Sequence, residues 1–249
     1  MIHRPDYSQL DTRREVFFLA SGGRDSTAMV LEAHSLGLRG TMLFNDTGLD
    51  RGGEPVLRRL ADLTGYPLVV LKYDGDTPAG EILRKSFLRI PEVLAKMKST
   101  GRYWKNYFYC CKALKHGPTE RYLRTLDKES AVLVLGIKGS DGSVTRRLRL
   151  AELRDRQTFL RRHRNGRLYY YPLRDCSDAD VAAVLDEYGL AGISSSGCSL
   201  CPVFCLFAGM VKKEPSTWLR SVNYARRLGI RFEFADQTEL MHFCPGDDG

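Results

Sequence analysis

At 249 residues, 43% of them hydrophobic, the chain holds enough material for one sizeable core and an appended module. Mean hydropathy is −0.30, no apolar run reaches membrane-spanning length, and the opening MIHRPDYSQLDTRRE lacks the apolar segment of a secretory signal; this excludes a helical membrane protein and leads us to expect a cytoplasmic one. A net charge of +8 favours a polyanionic partner, and seven cysteines in a reducing compartment point to metal ligands or reactive thiols rather than disulfides.

In chain order, apolar strand-like runs alternate with helical patterns, as in a parallel sheet with crossover helices. Strands are predicted at Val16 to Ala20, Gly40 to Asn45, Pro67 to Tyr73 and Ala131 to Ile137, and helices at Asp25 to Leu36, Glu54 to Thr64, Cys110 to Leu126 and Asp178 to Tyr188. Ser177 supplies an N-cap for the last of these, with Asp178 and Asp180 in its first turn and Gly189 beyond its end. Between Lys72 and Tyr109 the pattern is irregular and basic and reads as a flexible insertion over a ligand crevice. The alternation fails after Gly192, which divides the chain into a nucleotide-binding domain at 1–192 and a Cys-rich segment at 193–249 packed on it. The basic run Leu160 to Arg167 followed by Tyr169-Tyr170-Tyr171 reads as a charged hairpin turning at Asn165-Gly166; contact with a nucleic-acid backbone is the alternative.

The first strand and first helix are joined by Ser21-Gly22-Gly23-Arg24-Asp25-Ser26. Glycines let a backbone turn sharply and approach a ligand, and the helix behind them offers unpaired N–H groups and partial positive charge, so the loop is shaped to hold phosphate. Neither the Gly-x-x-x-x-Gly-Lys-Ser/Thr nor the Gly-x-Gly-x-x-Gly pattern is present. Ligands of open parallel sheets lie outside the carboxyl ends of the strands, so this loop, Asp46 and Thr47 after the second strand, and Gly136 and Lys138 after a later one are expected to converge on a nucleotide. A plain turn-capping role for Asp46 is the alternative.

Ser-Gly-Gly-x-Asp-Ser after a strand resembles the pyrophosphate loop of the ATP pyrophosphatases, enzymes that split ATP between its α and β phosphates. With Asp46-Thr47-Gly48, the segment Tyr107 to Pro118 around Cys110-Cys111, YPLRDCSDADV at Tyr171 to Val181 and SGCSLCP at Ser196 to Pro202, the chain resembles the phosphoadenosine phosphosulfate (PAPS) reductase family from about Val16 to Pro202. The resemblance implies an adenine nucleotide alpha-hydrolase-like α/β fold: a parallel five-stranded, Rossmann-like sheet with helices on both faces. It implies that Ser21, Ser26 and the loop amides grip pyrophosphate and that Asp25 helps hold Mg2+. It also implies that Lys115, Arg146 and Arg147 contact nucleotide or pyrophosphate. Arg24 stands where the family usually has Lys, which keeps the charge and changes its geometry.

The family's reductases generally lack an intact loop, and the C-terminal Glu-Cys-Gly-x-His whose cysteine attacks the sulfonucleotide is replaced here by Glu239-Leu240-Met241-His242-Phe243-Cys244. The intact loop suits members that use ATP to activate an oxygen or phosphate for sulfur insertion, such as the ATP pyrophosphatase component of DNA phosphorothioation and the tRNA thiolases. The implied partners are a nucleotide, a nucleic-acid acceptor and a sulfur donor such as a cysteine desulfurase. Sulfite formation from PAPS or adenosine phosphosulfate is the second reading, and a non-catalytic nucleotide-binding subunit of a modification or defence complex the third. Cys110-Cys111 with the distant Cys198-x-x-Cys201 resembles the four-cysteine ligation of a 4Fe-4S cluster in assimilatory sulfonucleotide reductases. Zinc would satisfy the same four sulfurs, Cys205 could replace one of them, and unliganded cysteines complete the alternatives. The sequence admits an oligomer as well as a monomer.

Overall fold

A computed structural model describes residues 2–49, 52–100, 108–139, 144–193, 197–206 and 215–230, with the side chains of Lys98 and of residues 144–147 outside that description. The chain packs as two units, one built from residues 1–45, 52–71 and 121–197 and the other from 46–51, 72–120 and 198–249.

The first unit carries the sheet. Its strands are β1 (Glu15–Leu19), β2 (Thr41–Asp46), β3 (Leu68–Lys72), β4 (Ala131–Leu135), β5 (Leu160–Arg162) and β6 (Leu168–Tyr170), in the order β3-β2-β1-β4-β6-β5. β1 runs parallel to β2 and to β4, and β4 parallel to β6, with Leu19 level with Leu43 and Leu135. The expected α/β fold is therefore present, with one correction: the sheet has six strands, because β5 folds back antiparallel on β6 as the outer arm of the basic hairpin. Gly166 turns that hairpin at φ +83°.

The strands are apolar on both faces, as a sheet covered twice requires. Val16, Phe18, Met42, Phe44, Val132 and Val134 pack beneath α1 (Arg24–Ser35), α2 (Gly53–Thr64) and α7 (Asp178–Glu187). Phe17, Leu43 and Leu133 point the other way, onto Leu123 of α5 (Gly117–Arg124). Leu150 and Leu153 of α6 (Val144–Asp155) close over Tyr171 nearby. Ser177 caps α7 as expected, accepting from the Asp180 amide while Asp180 Oδ2 accepts from the Ser177 amide and hydroxyl. These bonds and a third from the His3 amide hold the Asp180 carboxyl down at about 2, from 3.8. A group depressed in this way stabilises the fold in full above 3.8, and that stability drains away as pH falls toward about 2. Asp180→Asn should flatten the dependence of urea-unfolding free energy on pH across this window.

The second unit corrects the flexible insertion. Residues 79–100 form α3 (Ala79–Leu88) and α4 (Ile90–Thr100), whose Ile82, Phe87, Ile90, Val93 and Met97 are buried at helical spacing. A helix in the tail, α8 (Pro215–Arg227), adds Val222 and Ala225 to the same core. The expected helix from Cys110 forms, but its Cys111–His116 stretch is a π-helix, with the Gly117 amide bonded to the Lys112 carbonyl five residues back. Pro118 explains the widening: it brings no N–H and its ring crowds the carbonyl four residues earlier, so the preceding turn opens. Among the described residues no helix is long and apolar enough to cross a membrane.

Candidate functional site

In the first unit the loop after β1 is held by its own hydroxyls. The Ser26 Oγ donates to the Gly23 carbonyl at 3.0 Å and accepts from the Ser21 amide at 3.2 Å, with the Ser21 Oγ also 3.2 Å away. Gly22 sits at φ +70°, and a Cβ there would overlap the backbone of Gly53. Gly136, after β4, comes close to the same loop: a Cβ on it would lie 3.1 Å from the Ser26 nitrogen. Gly23 is the N-cap of α1 in an extended conformation, without a side-chain capping bond among the described residues, and the positive end of the helix dipole lies at this loop.

Lys138 is the centre of charge. Only 5% of its side chain is exposed, and Nζ lies 2.6 Å from Asp25 Oδ1 and 2.8 Å from Asp178 Oδ1. Burial pulls the ammonium pKa down, but hydrogen bonds and charge from Asp178 and Asp25 outweigh it, so the net direction is up and Lys138 is charged at neutral pH. The same hydrogen bond holds the Asp178 carboxyl below its usual range. Arg24 Nη2 reaches the Asp178 carbonyl at 3.4 Å. The structure places Ser21 to Ser26, Gly136 and Lys138 close together. It adds Asp178, which from the sequence is visible only as a first-turn acid of α7. Ser21 and Ser26 spend hydroxyl bonds on shaping the loop, and Asp25 is ion-paired.

Asp46 and Thr47 belong to the second unit. Asp46 Oδ1 accepts from the Gly48 amide at 2.9 Å and Oδ2 pairs with Lys72 at 3.1 Å, the first of these holding its carboxyl below the usual range; Thr47 Oγ1 accepts from the Leu49 amide. This is the turn-capping arrangement. Arg146 and Arg147 lie in the first turn of α6 with side chains outside the described residues, and Cys244 lies outside them altogether.

The cysteines of the second unit are placed by buried serines that sequence reading missed. The Cys110 amide donates to Ser86 Oγ at 2.9 Å and the Cys201 amide to Ser221 Oγ at 3.0 Å, both serines being fully buried. Cys110, Cys111, Cys198, Cys201 and Cys205 are all unbridged. Cys110 shares a thiol hydrogen bond with Cys111, which with the Lys115 charge brings Cys111 down to about 7 against the opposing effect of burial. Burial pushes Cys201 and Cys205 up to about 12, and Cys201 also feels Cys198 and Cys111. By their chemistry, thiols suit a thiophilic metal. Among the described residues, no three His, Cys, Asp or Glu side chains are gathered as a metal shell.

Fold and loop together define a parallel α/β protein with a glycine turn and a helix amino terminus at the carboxyl edge of its central strand. No family model matches the chain, and no curated protein matches it either. Among solved structures it is similar to a PAPS reductase from Candida auris in a phosphate complex, at 14% identity and TM-score 0.48, over 73% of this chain and 74% of that one. It is similar also to the U34-tRNA thiolase NcsA from Methanococcus maripaludis with its 4Fe-4S cluster, at 14% identity and TM-score 0.40, over 88% and 73%. A predicted subunit of tRNA methyltransferase from Methanocaldococcus jannaschii follows at 16% and 0.33, over 71% and 88%.

Proposed function

We propose that the protein is an ATP pyrophosphatase that adenylates a nucleic-acid acceptor and supports sulfur transfer to it. The observation that carries this reading is the buried Lys138 ammonium held against Asp25 of an intact Ser-Gly-Gly-Arg-Asp-Ser loop. Adenylation makes an unreactive oxygen into a leaving group, and the difficulty is the charge that develops as pyrophosphate departs. A fixed cation of low exposure and a row of first-turn amides oppose that charge without having to reorganise. Asp25 orients Lys138, and a magnesium ion held with its help, as the family resemblance implies, would shield the phosphates of ATP. Cys110, Cys111, Cys198 and Cys201 would hold the 4Fe-4S cluster, with zinc as the competing metal. Such a cluster, when bound, would supply the site from which sulfur is delivered.

With ATP labelled at the γ phosphate, total transfer RNA or genomic DNA as acceptor probe, cysteine and a cysteine desulfurase, labelled pyrophosphate is expected, and Asp25→Ala should abolish it. Labelled orthophosphate would overturn the reading, as would sulfite formed from PAPS and a thioredoxin system. Separately, anaerobically purified protein should be brown and contain iron and acid-labile sulfide, both lost in Cys198→Ser/Cys201→Ser; zinc without iron would remove the cluster.

A further inference from the structure

We infer that the β5–β6 hairpin and α6 of the first unit together form a docking groove for the sugar-phosphate backbone of a nucleic acid. The groove has a volume of about 400 Å³ and is lined by Arg149, Arg161, Arg162, His163, Arg164 and Asn165. Among the described residues no carboxylate lines it.

The charges within it are partly balanced from its rim. Arg161 pairs with Glu152 at 3.0 Å and Arg162 with Glu129 at 2.8 Å. Arg149 and Arg164 have no carboxylate partner among the described residues, so two of the four guanidinium charges stay uncompensated. Arg149 is also short of acceptors: among the described residues its buried Nε has no hydrogen-bond partner, and its Nη1 reaches only Tyr171 Oη, at 3.5 Å. His163 Nε2 meets the same Tyr171 Oη at 3.1 Å, and its ring lies 4.0 Å from that of Tyr169. Burial, Arg149 and Arg161 all lower the His163 pKa, so the imidazole is neutral at pH 7 and the site lacks a negative charge as much as it has spare donors.

One phosphate satisfies one or two guanidinium forks. Four of them, spread from a helix to the arm and tip of a hairpin, match a row of phosphates, and the chain's net charge of +8 draws such a polymer in. This deepens the proposed function, since it says where the acceptor would be gripped, and it rests on that reading for the acceptor's class. Binding is measured without ATP, so failure of the pyrophosphatase reading and failure of the groove are told apart.

The test is fluorescence anisotropy of a labelled single-stranded 20-mer, as RNA and as DNA, across a salt series. Four neutralised phosphates give a slope of log K against log salt of about −3. Arg161→Gln/Arg164→Gln should weaken binding about tenfold at low salt and make the slope shallower by about 1 to 2. Glu152→Gln frees Arg161 and should tighten binding about two- to fivefold, a gain that a misfolded variant does not produce. Unchanged affinity in both variants would overturn the proposal. So would displacement of the 20-mer by inorganic phosphate at equal phosphate concentration, which would mark a small-anion pocket instead.

Discussion

Asp25→Asn/Asp178→Asn is expected to cost about 3–5 kcal/mol in urea unfolding, far more than its parts, because it strands the buried Lys138 ammonium without a countercharge. Asp178→Asn alone removes the outer partner, whose side chain is 72% exposed, and should cost about 1 kcal/mol or less. Asp25→Asn alone leaves Asp178 in place. The single variants therefore sum to less than the double, and additive small effects would show that the ammonium finds water once either carboxylate is gone. Lys138 also sets a pH limit. Its folded pKa is raised, so its contribution is complete below 10.5 and is lost only as pH climbs through the higher folded value. On the proposed function, Lys138→Met removes the cation that would oppose pyrophosphate and should lower pyrophosphate release by about 10²- to 10³-fold.

Gly22→Ala should be the second damaging change, at about 2–5 kcal/mol by thermal unfolding together with, on the proposed function, loss of the ATP binding read by calorimetry. Two costs add there. The left-handed conformation at φ +70° disfavours any Cβ, and the Cβ would collide with the Gly53 backbone at the start of α2. Gly37 separates the two, since it has the same φ of +70° with nothing near its Cβ position. Gly37→Ala should cost only about 1–2 kcal/mol and leave nucleotide binding intact. Equal losses at both positions would mean that the loop gives way rather than holding against α2.

Local signals carried most of the sheet. β1 and β4 were legible because a strand buried on both faces is a bare apolar run, and α1 because a glycine turn precedes it. In residues 79–100 the charges of Lys85, Arg89 and Lys96 and the proline at 91 mask a clean helical spacing of Ile82, Phe87, Ile90, Val93 and Met97. Pro91 breaks nothing, since it stands in the first turn of α4, where its missing N–H has no partner to lose. No element is predicted between the fourth strand and the basic hairpin, yet Val144 already begins α6, because Leu150 and Leu153 are spaced to cover Tyr171. In the candidate site, the glycines and Asp25 announce themselves by spacing. Asp178, Ser86 and Ser221 do not, since their roles depend on partners brought up by tertiary packing.

β1 takes β2 on one side and β4 on the other, and β4 arrives only after residue 130. A nascent or truncated chain ending there would present the open flank of β1 to any other extended segment, and its glycine turn would lack the lysine that balances Asp25. Competence therefore waits on the middle of the polypeptide emerging. Fragments of the amino-terminal half are expected to clump rather than to survive as decoys that sequester ATP.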